Sequence, residues 1–257
     1  MKILTCNVRV SGAKDGDNSW PFRKGICAQQ IAAQSAGIIC FQEMTATQFA
    51  DLSNALPEYK SFGMVEDPIG HNPVNCIFYH PDLFTMVFAG GFLLSETPHI
   101  PNTKSWGSAY VRLANWVRLV EKKSGVEFRV INTHLDNVSE LARANQARLI
   151  VENTQAYPAD YPQILTGDMN EDCTYKGIQT FKAGGWIETY HFIHKTENPG
   201  HTYHGYQGPD HKADMGKMDF IFTRGKLKTT SATIIKDTIN GKYASDHYFV
   251  SATVELS

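Results

Sequence analysis

The sequence predicts an α/β fold built on mixed sheets, and three observations carry that prediction. Short runs such as "GIICFQE", "PQILTGD" and "MDFIF" are apolar at nearly every core position, as strands covered on both faces must be. Amphipathic helical patterns are interleaved with these runs. In several places, however, one strand-like run follows another with no helix between them. A purely parallel doubly wound sheet excludes that last feature, because each parallel connection needs a crossover.

In chain order, "KILTCNV" reads as a strand and "WPFRKGICAQQIAAQSA" as a helix, with Pro21 near its start and Ile26, Cys27 and Ile31 at helical spacing. "GIICFQE" is the next strand and "TATQFADLSNAL" the next helix. The stretch from Asn75 to Leu94 holds "NCIFYH" and "FTMVFAGGFLL", read as a hairpin-like strand pair. "NWVRLVE" and "FRVINTHL" follow as strands. In "SELARANQARLIVENTQAY", Ser139 is the expected N-cap, with Leu141, Leu149, Ile150 and Val151 on one side. "PQILTGD", "MDFIFTR", "TTSATII" and "YFVSATVEL" complete the strands. No linker, repeat or low-complexity tract interrupts the chain, so residues 1–257 are read as one domain.

At 42% apolar and 19% charged residues the composition is that of an ordinary globular protein. A formal charge of −2 is no footprint of a protein that grips long duplex nucleic acid through many phosphates. Cys6, Cys27, Cys40, Cys76 and Cys173 lack the paired spacing of a zinc site and favour a reduced chain. No apolar stretch is long enough to span a bilayer. "MKILTCNV" enters a strand pattern directly instead of resembling a signal peptide. A cytoplasmic monomer is expected, or an exported one if an export signal has been removed.

Polar groups recur at the ends of the most apolar strands. Asn7 ends "ILTCN", Glu43 ends "IICFQE", His134 and Asp136 end "VINTHLD", and Asp168 with Asn170 ends "ILTGDMN". Asp219 begins "DFIF", and Asp246 with His247 precedes the final strand. Each alone reads most simply as a turn former. As a set they suggest a site on one rim of a sheet, where α/β folds place their chemistry. Carboxylate and amide oxygens are hard donors, so Mg²⁺, with Mn²⁺ as a substitute, suits them better than Zn²⁺. Phosphoester hydrolysis also needs an activated water and donors for the non-bridging oxygens, which the histidines and Asn residues supply.

"TCNVR", "FQE", "NTHL", "GDMN", "MDFIF" and "SDH" resemble, in order and approximate spacing, the endonuclease/exonuclease/phosphatase superfamily. Closer still is the similarity to a bacterial branch often labelled metal-dependent hydrolase, carried by "FLLSETP", "SWG" and "HTYHGYQG". The resemblance implies a deoxyribonuclease I-like four-layer sandwich, two mixed β-sheets packed face to face and flanked by helices. It implies a Mg²⁺-dependent phosphoesterase, with a phosphodiester expected as substrate: a small or single-stranded nucleic acid, a phospholipid headgroup or a sugar phosphate. The alternatives are a phosphomonoesterase on a small metabolite and a non-catalytic binding module on the same fold.

By that resemblance Glu43 is the principal metal ligand, with Asn7 beside it also touching a phosphate oxygen, and Asp246 is a further metal-side or water-side carboxylate. Asp168 orients or deprotonates the attacking water, and Asn170 donates to a phosphoryl oxygen. His134 and His247 contact the phosphate from two sides, His247 being held by Asp219. Arg112 matches a position that reaches the phosphate, although a solvent-facing strand residue explains it nearly as well. His204 is expected at the substrate rim. Asp136 either touches the site or forms a turn, and His191, His194, His201 and His211 are read as exposed loop residues. Related enzymes often place a glutamate about three residues before "CIFY" to orient the first histidine. Here Pro73 stands near that place, leaving Asn75 or a backbone carbonyl to hold His134. Arg9, where some nucleases of the fold carry an aspartate ligand, points to a one-metal site.

Overall fold

A computed structural model of the chain describes residues 1–63 and 75–256. The strands are β1 (Lys2–Asn7), β2 (Ile38–Gln42), β3 (Lys60–Phe62), β4 (Ile77–Tyr79), β5 (Phe84–Leu93), β6 (Leu113–Glu121), β7 (Glu127–His134), β8 (Gln163–Asp168), β9 (Ile187–Glu188), β10 (Asp219–Arg224), β11 (Leu227–Ile235) and β12 (Phe249–Leu256). The helices are α1 (Trp20–Ala32), α2 (Ala46–Ala55), α3 (Glu140–Gln155), α4 (Lys176–Ala183) and α5 (Thr189–His194). Among the described residues the strands form two six-stranded mixed sheets, ordered β11-β12-β1-β2-β4-β3 and β5-β6-β7-β8-β10-β9. No helix there is long and apolar enough to cross a membrane.

Three apolar cores separate four layers. Ile3, Ile38, Cys40 and Val250 of the first sheet meet Val117, Val130, Ile164 and Ile221 of the second in the central core. The outer face of the first sheet packs through Leu4, Cys6, Ile39 and Phe41 onto Cys27 and Ile31 of α1 and Leu52 of α2. Leu165, Phe220 and Phe222 of the second sheet pack onto Ala147 and Ile150 of α3 and Phe181 of α4. Central strands are buried on both faces, which is why β2 and β8 read as continuous apolar runs.

Two local expectations change. β4 and β5 are not a hairpin: β4 pairs with β2 and β3, whereas β5 pairs with β6 in the other sheet. The short turn between them carries the chain from one layer to the next, a choice that local pattern does not encode. On α3, Ser139 does cap the helix, its hydroxyl accepting from the Ala142 N–H at 3.1 Å. Leu141 is exposed, however, and Arg143 and Gln146 are buried beside Ala147, Ile150 and Val151. Those polar residues are recruited by the rim loops, as the site shows.

Candidate active site

Strand direction places the predicted residues together. β1 and β2 run parallel, as do β7 and β8, so Asn7, Glu43, His134 and Asp168 sit at equivalent ends. β12 and β10 run antiparallel to β1 and β8, which brings their beginnings, with Asp246-His247 and Asp219, to the same rim. Register then aligns His134 with Asp168, and Asp168 with Asp219, as direct neighbours across three strands. The rim opens into a cleft of about 550 Å³ lined by Glu43, Arg112, His134, Asp168, Asn170, Asp246 and His247 among others. Asn7 and Asp219 stand immediately behind this lining.

Hydrogen bonds tie the groups into one network. Asn7 Nδ2 donates to Asp168 Oδ2 at 2.9 Å and to Glu43 Oε1 at 3.1 Å. Its Oδ1 accepts from the Arg9 N–H at 2.9 Å, which fixes the amide orientation. Glu43 Oε2 accepts from the Val10 N–H at 3.0 Å. His247 Nδ1 lies 2.9 Å from Asp219 Oδ2. His247 Nε2 is 3.8 Å, and His134 Nε2 3.4 Å, from Asp168 Oδ2. Glu43, Asn170 and Arg9 hold left-handed backbone angles of φ 60°, 51° and 52°, and such strain in non-glycine residues concentrates where surrounding structure imposes it for function.

Burial divides the two histidines. It drives the His134 pKa well below its ordinary value, helped by the charges of Arg112 and His247, so this ring is neutral. Burial also opposes charge on His247, but Asp219, with Asp168 and Asp246 behind it, outweighs burial and raises the pKa to about 10. Burial and the neighbouring Asp219 charge push Asp168 up to about 7. The site therefore holds a cationic imidazole and a carboxylate that titrates near neutrality, a pairing suited to proton handling.

Glu43 and Asp246 offer hard carboxylate oxygens close enough for the Glu43 charge to raise the Asp246 pKa, after the larger effect of burial. A divalent ion would relieve that repulsion, so this donor set fits Mg²⁺ or Mn²⁺. Asn7 presents its donors to Glu43 and Asp168, and its oxygen reaches a cation only if the amide turns over. Asp168, Asp219 and His247 also have ligand atoms within 4.8 Å of one another. There, Nδ1 is committed to Asp219, which makes them a proton-holding cluster.

Several residues take roles different from those expected. His204 is fully buried, with its ring stacked 4.1 Å from that of Tyr248, and does not reach the cleft. Adjacent residues in that extended loop point to opposite sides, and Tyr203 is the one lining the cleft, bridged to His247. Asn170 lines the cleft, but its Nδ2 already donates to His134 Nε2 at 2.8 Å and to the Leu135 carbonyl at 3.0 Å. It thus orients the histidine and directs the ring proton to Nδ1. Asn75 bonds the Leu113 carbonyl instead of His134, and Pro73 lies outside the described residues. His191 and His194 belong to α5, and His201 Nε2 lies 3.2 Å from the Gly208 carbonyl.

Asp136 is buried behind the cleft. Oδ2 accepts from the Ser108 hydroxyl at 3.0 Å and the Ala109 N–H at 2.8 Å, while Oδ1 accepts from Val138 and Ser139 N–H groups. It pins the loop preceding Arg112 to the start of α3. Arg143 of α3 donates to the Asp136 carbonyl and to buried Glu171, just beyond Asn170. The "SWG" segment joins this brace, with the Trp106 carbonyl accepting from Ser139 Oγ at 2.7 Å. Arg9, Tyr110 and Tyr203 also line the cleft; the aromatic residues carried no motif of their own beyond the loop signature.

Gly167 is required by the β7–β8 approach, because a Cβ there would collide with the Thr133 backbone carbonyl. Gly167→Ala is expected to cost on the order of 3 kcal/mol and to displace Asp168. Urea unfolding measures the cost, and an unchanged midpoint contradicts it.

The chain matches the Endonuclease/Exonuclease/phosphatase family over residues 4–247. It is similar to the solved endonuclease/exonuclease/phosphatase from Bacteroides vulgatus at 28% identity and a TM-score of 0.89, covering 100% of this chain and 98% of that one. It is similar at 25% identity and a TM-score of 0.88 to a mannosyl-6-phosphatase of Bacteroides thetaiotaomicron, covering 100% of both. The human Nocturnin catalytic domain, solved with a bound sulfate anion, shares the fold at 21% identity and a TM-score of 0.78, covering 100% of this chain and 93% of that one. No curated protein matches the chain.

Proposed function

Because the chain belongs to the Endonuclease/Exonuclease/phosphatase family, we propose that the cleft is the active site of a Mg²⁺-dependent phosphoric ester hydrolase working by in-line attack of water on phosphorus. The observation that carries this reading is the meeting of Asp168 with a cationic His247 at the rim that also holds Glu43 and Asp246.

When bound, Mg²⁺ supplies Lewis-acid stabilisation of charge on the phosphoryl oxygens; Glu43 would hold it, with Asp246 and Asn7 beside it. Asp168 accepts a hydrogen bond from the attacking water and takes its proton. His247, kept protonated by Asp219, donates through Nε2 to an oxygen on which charge accumulates. His134, neutral and held by Asn170, shapes the opposite wall, and Arg112 supplies a second fixed charge. Preformed donors need little rearrangement at the moment of reaction, which makes such stabilisation effective.

Hydrolysis of p-nitrophenyl phosphate and of bis-(p-nitrophenyl) phosphate should require Mg²⁺ or Mn²⁺ and stop with EDTA. Turnover that EDTA leaves untouched rejects the metal requirement. Glu43→Gln should weaken Mn²⁺ binding tenfold or more by calorimetry, and an unaltered affinity removes Glu43 as ligand. The likeness to a mannosyl-6-phosphatase places sugar phosphates on the natural-substrate panel beside nucleic acids and phospholipids.

A further inference from the structure

Arg9 lies just beyond β1, lines the cleft, and is held more firmly than a residue at a strand end requires. Its backbone sits at φ 52°. Its carbonyl accepts from Arg23 Nη2 at 2.7 Å and from Gln48 Nε2 at 2.7 Å, in addition to the N–H bond to Asn7. Its guanidinium is steadied by Asp15, with Nε at 3.1 Å and Nη2 at 3.2 Å from the two carboxylate oxygens. Nε also lies 3.5 Å from Asp246 Oδ2. Nη1 has no hydrogen-bond partner among the described residues, and the side chain remains 35% exposed. Arg112 also lines the cleft, and its buried Nε has no acceptor.

We propose that Arg9 and Arg112 form a clamp on a terminal phosphoryl group, making the site selective for phosphomonoesters over phosphodiesters. This rests on the phosphoric ester hydrolase reading and departs from the diester expected from sequence. A phosphomonoester dianion presents three terminal oxygens. With one directed to the Glu43 side, two remain for the guanidinium groups, each able to accept charge-assisted hydrogen bonds. A diester replaces one of those oxygens by a neutral, alkylated ester oxygen, leaving a donor without a good acceptor, and a site built to hydrogen-bond a group discriminates against an analogue lacking it. Asp15 holds the fork in place, lowering the ordering cost on binding. The competing role for Arg9 is neutralisation of Asp246, which does not distinguish the two ester classes.

The test compares p-nitrophenyl phosphate with methyl p-nitrophenyl phosphate, which share a leaving group, in the intact protein and in Arg9→Met and Arg9→Lys. The monoester-to-diester ratio of kcat/KM should fall about thirtyfold or more in Arg9→Met, with Arg9→Lys between. Equal losses on both substrates overturn the clamp and assign Arg9 to Asp246. Inorganic phosphate, titrated by calorimetry, gives a readout independent of turnover: affinity should weaken tenfold or more in Arg9→Met, and unchanged affinity, or no binding by the intact protein, also overturns it. Failure of the intact protein to hydrolyse either ester rejects the hydrolase reading, while the phosphate titration still decides the clamp. If Arg9→Met does not fold, Arg9→Lys carries both comparisons, because it keeps the charge and loses the fork.

Discussion

Asp168→Asn is expected to lower kcat/KM by about three orders of magnitude while the protein remains folded, the loss that follows from removing the general base proposed above. Asp168 is 1% exposed at the end of β8, where Oδ1 accepts from the Asn170 N–H at 2.9 Å and Oδ2 from Asn7. Asparagine keeps the volume and the first acceptor but cannot take a proton from water. Because the native pKa is raised to about 7, the folded state binds a proton more readily than the unfolded chain. Its contribution to stability is therefore lost as pH rises from the ordinary carboxylate range to about 7, and above that the buried charge is a cost. Asp168→Asn removes this dependence, so unfolding above pH 7 should occur at the same or a higher denaturant concentration, as relief of an active-site strain permits. Turnover within tenfold of the native rate would remove Asp168 from the mechanism.

Asp219→Asn is the second large effect. It leaves the His247 ring in place and removes the largest charge that opposes burial, so the imidazole pKa should fall from about 10 toward the ordinary histidine range. Nitrogen NMR of the metal-free protein reads this directly. Below pH 6.5, the ordinary histidine value, protonated His247 stabilises the fold fully, and that contribution disappears as pH rises through about 10. The variant should show a flatter decline of stability across this window. Its kcat/KM should fall by about two orders of magnitude at pH 8, because His247, the donor proposed for the phosphate, is then neutral. A His247 resonance that titrates alike in both proteins would show that Asp219 does not control it.

Much of this site was legible in the sequence because its residues sit at strand ends, and strand ends follow from local apolar runs. Asn7, Glu43, His134, Asp168, Asp219 and His247 fall together once parallel and antiparallel strands share a rim. His204 failed for a local reason of register: one step along an extended loop exchanges the cleft-facing Tyr203 for a ring packed against Tyr248. Asn170 was placed at the cleft, but its donors were spoken for by His134 and Leu135, contacts between separate rim segments.

By itself the sequence determined the order of α1, α2, α3 and of the described strands other than β3 and β9, the Ser139 cap, and the polar groups at the mouths of buried strands. Those depend on periodicity and on hydrogen bonds spanning a few residues. Only the tertiary structure decided that β4 and β5 part into different sheets, that α3 buries Arg143 and Gln146 behind the rim, and that Arg9 lies beside Asp246 in the cleft. These outcomes rest on contacts between residues far apart in the chain, whose energies are set by packing and shared burial and have no counterpart in local pattern.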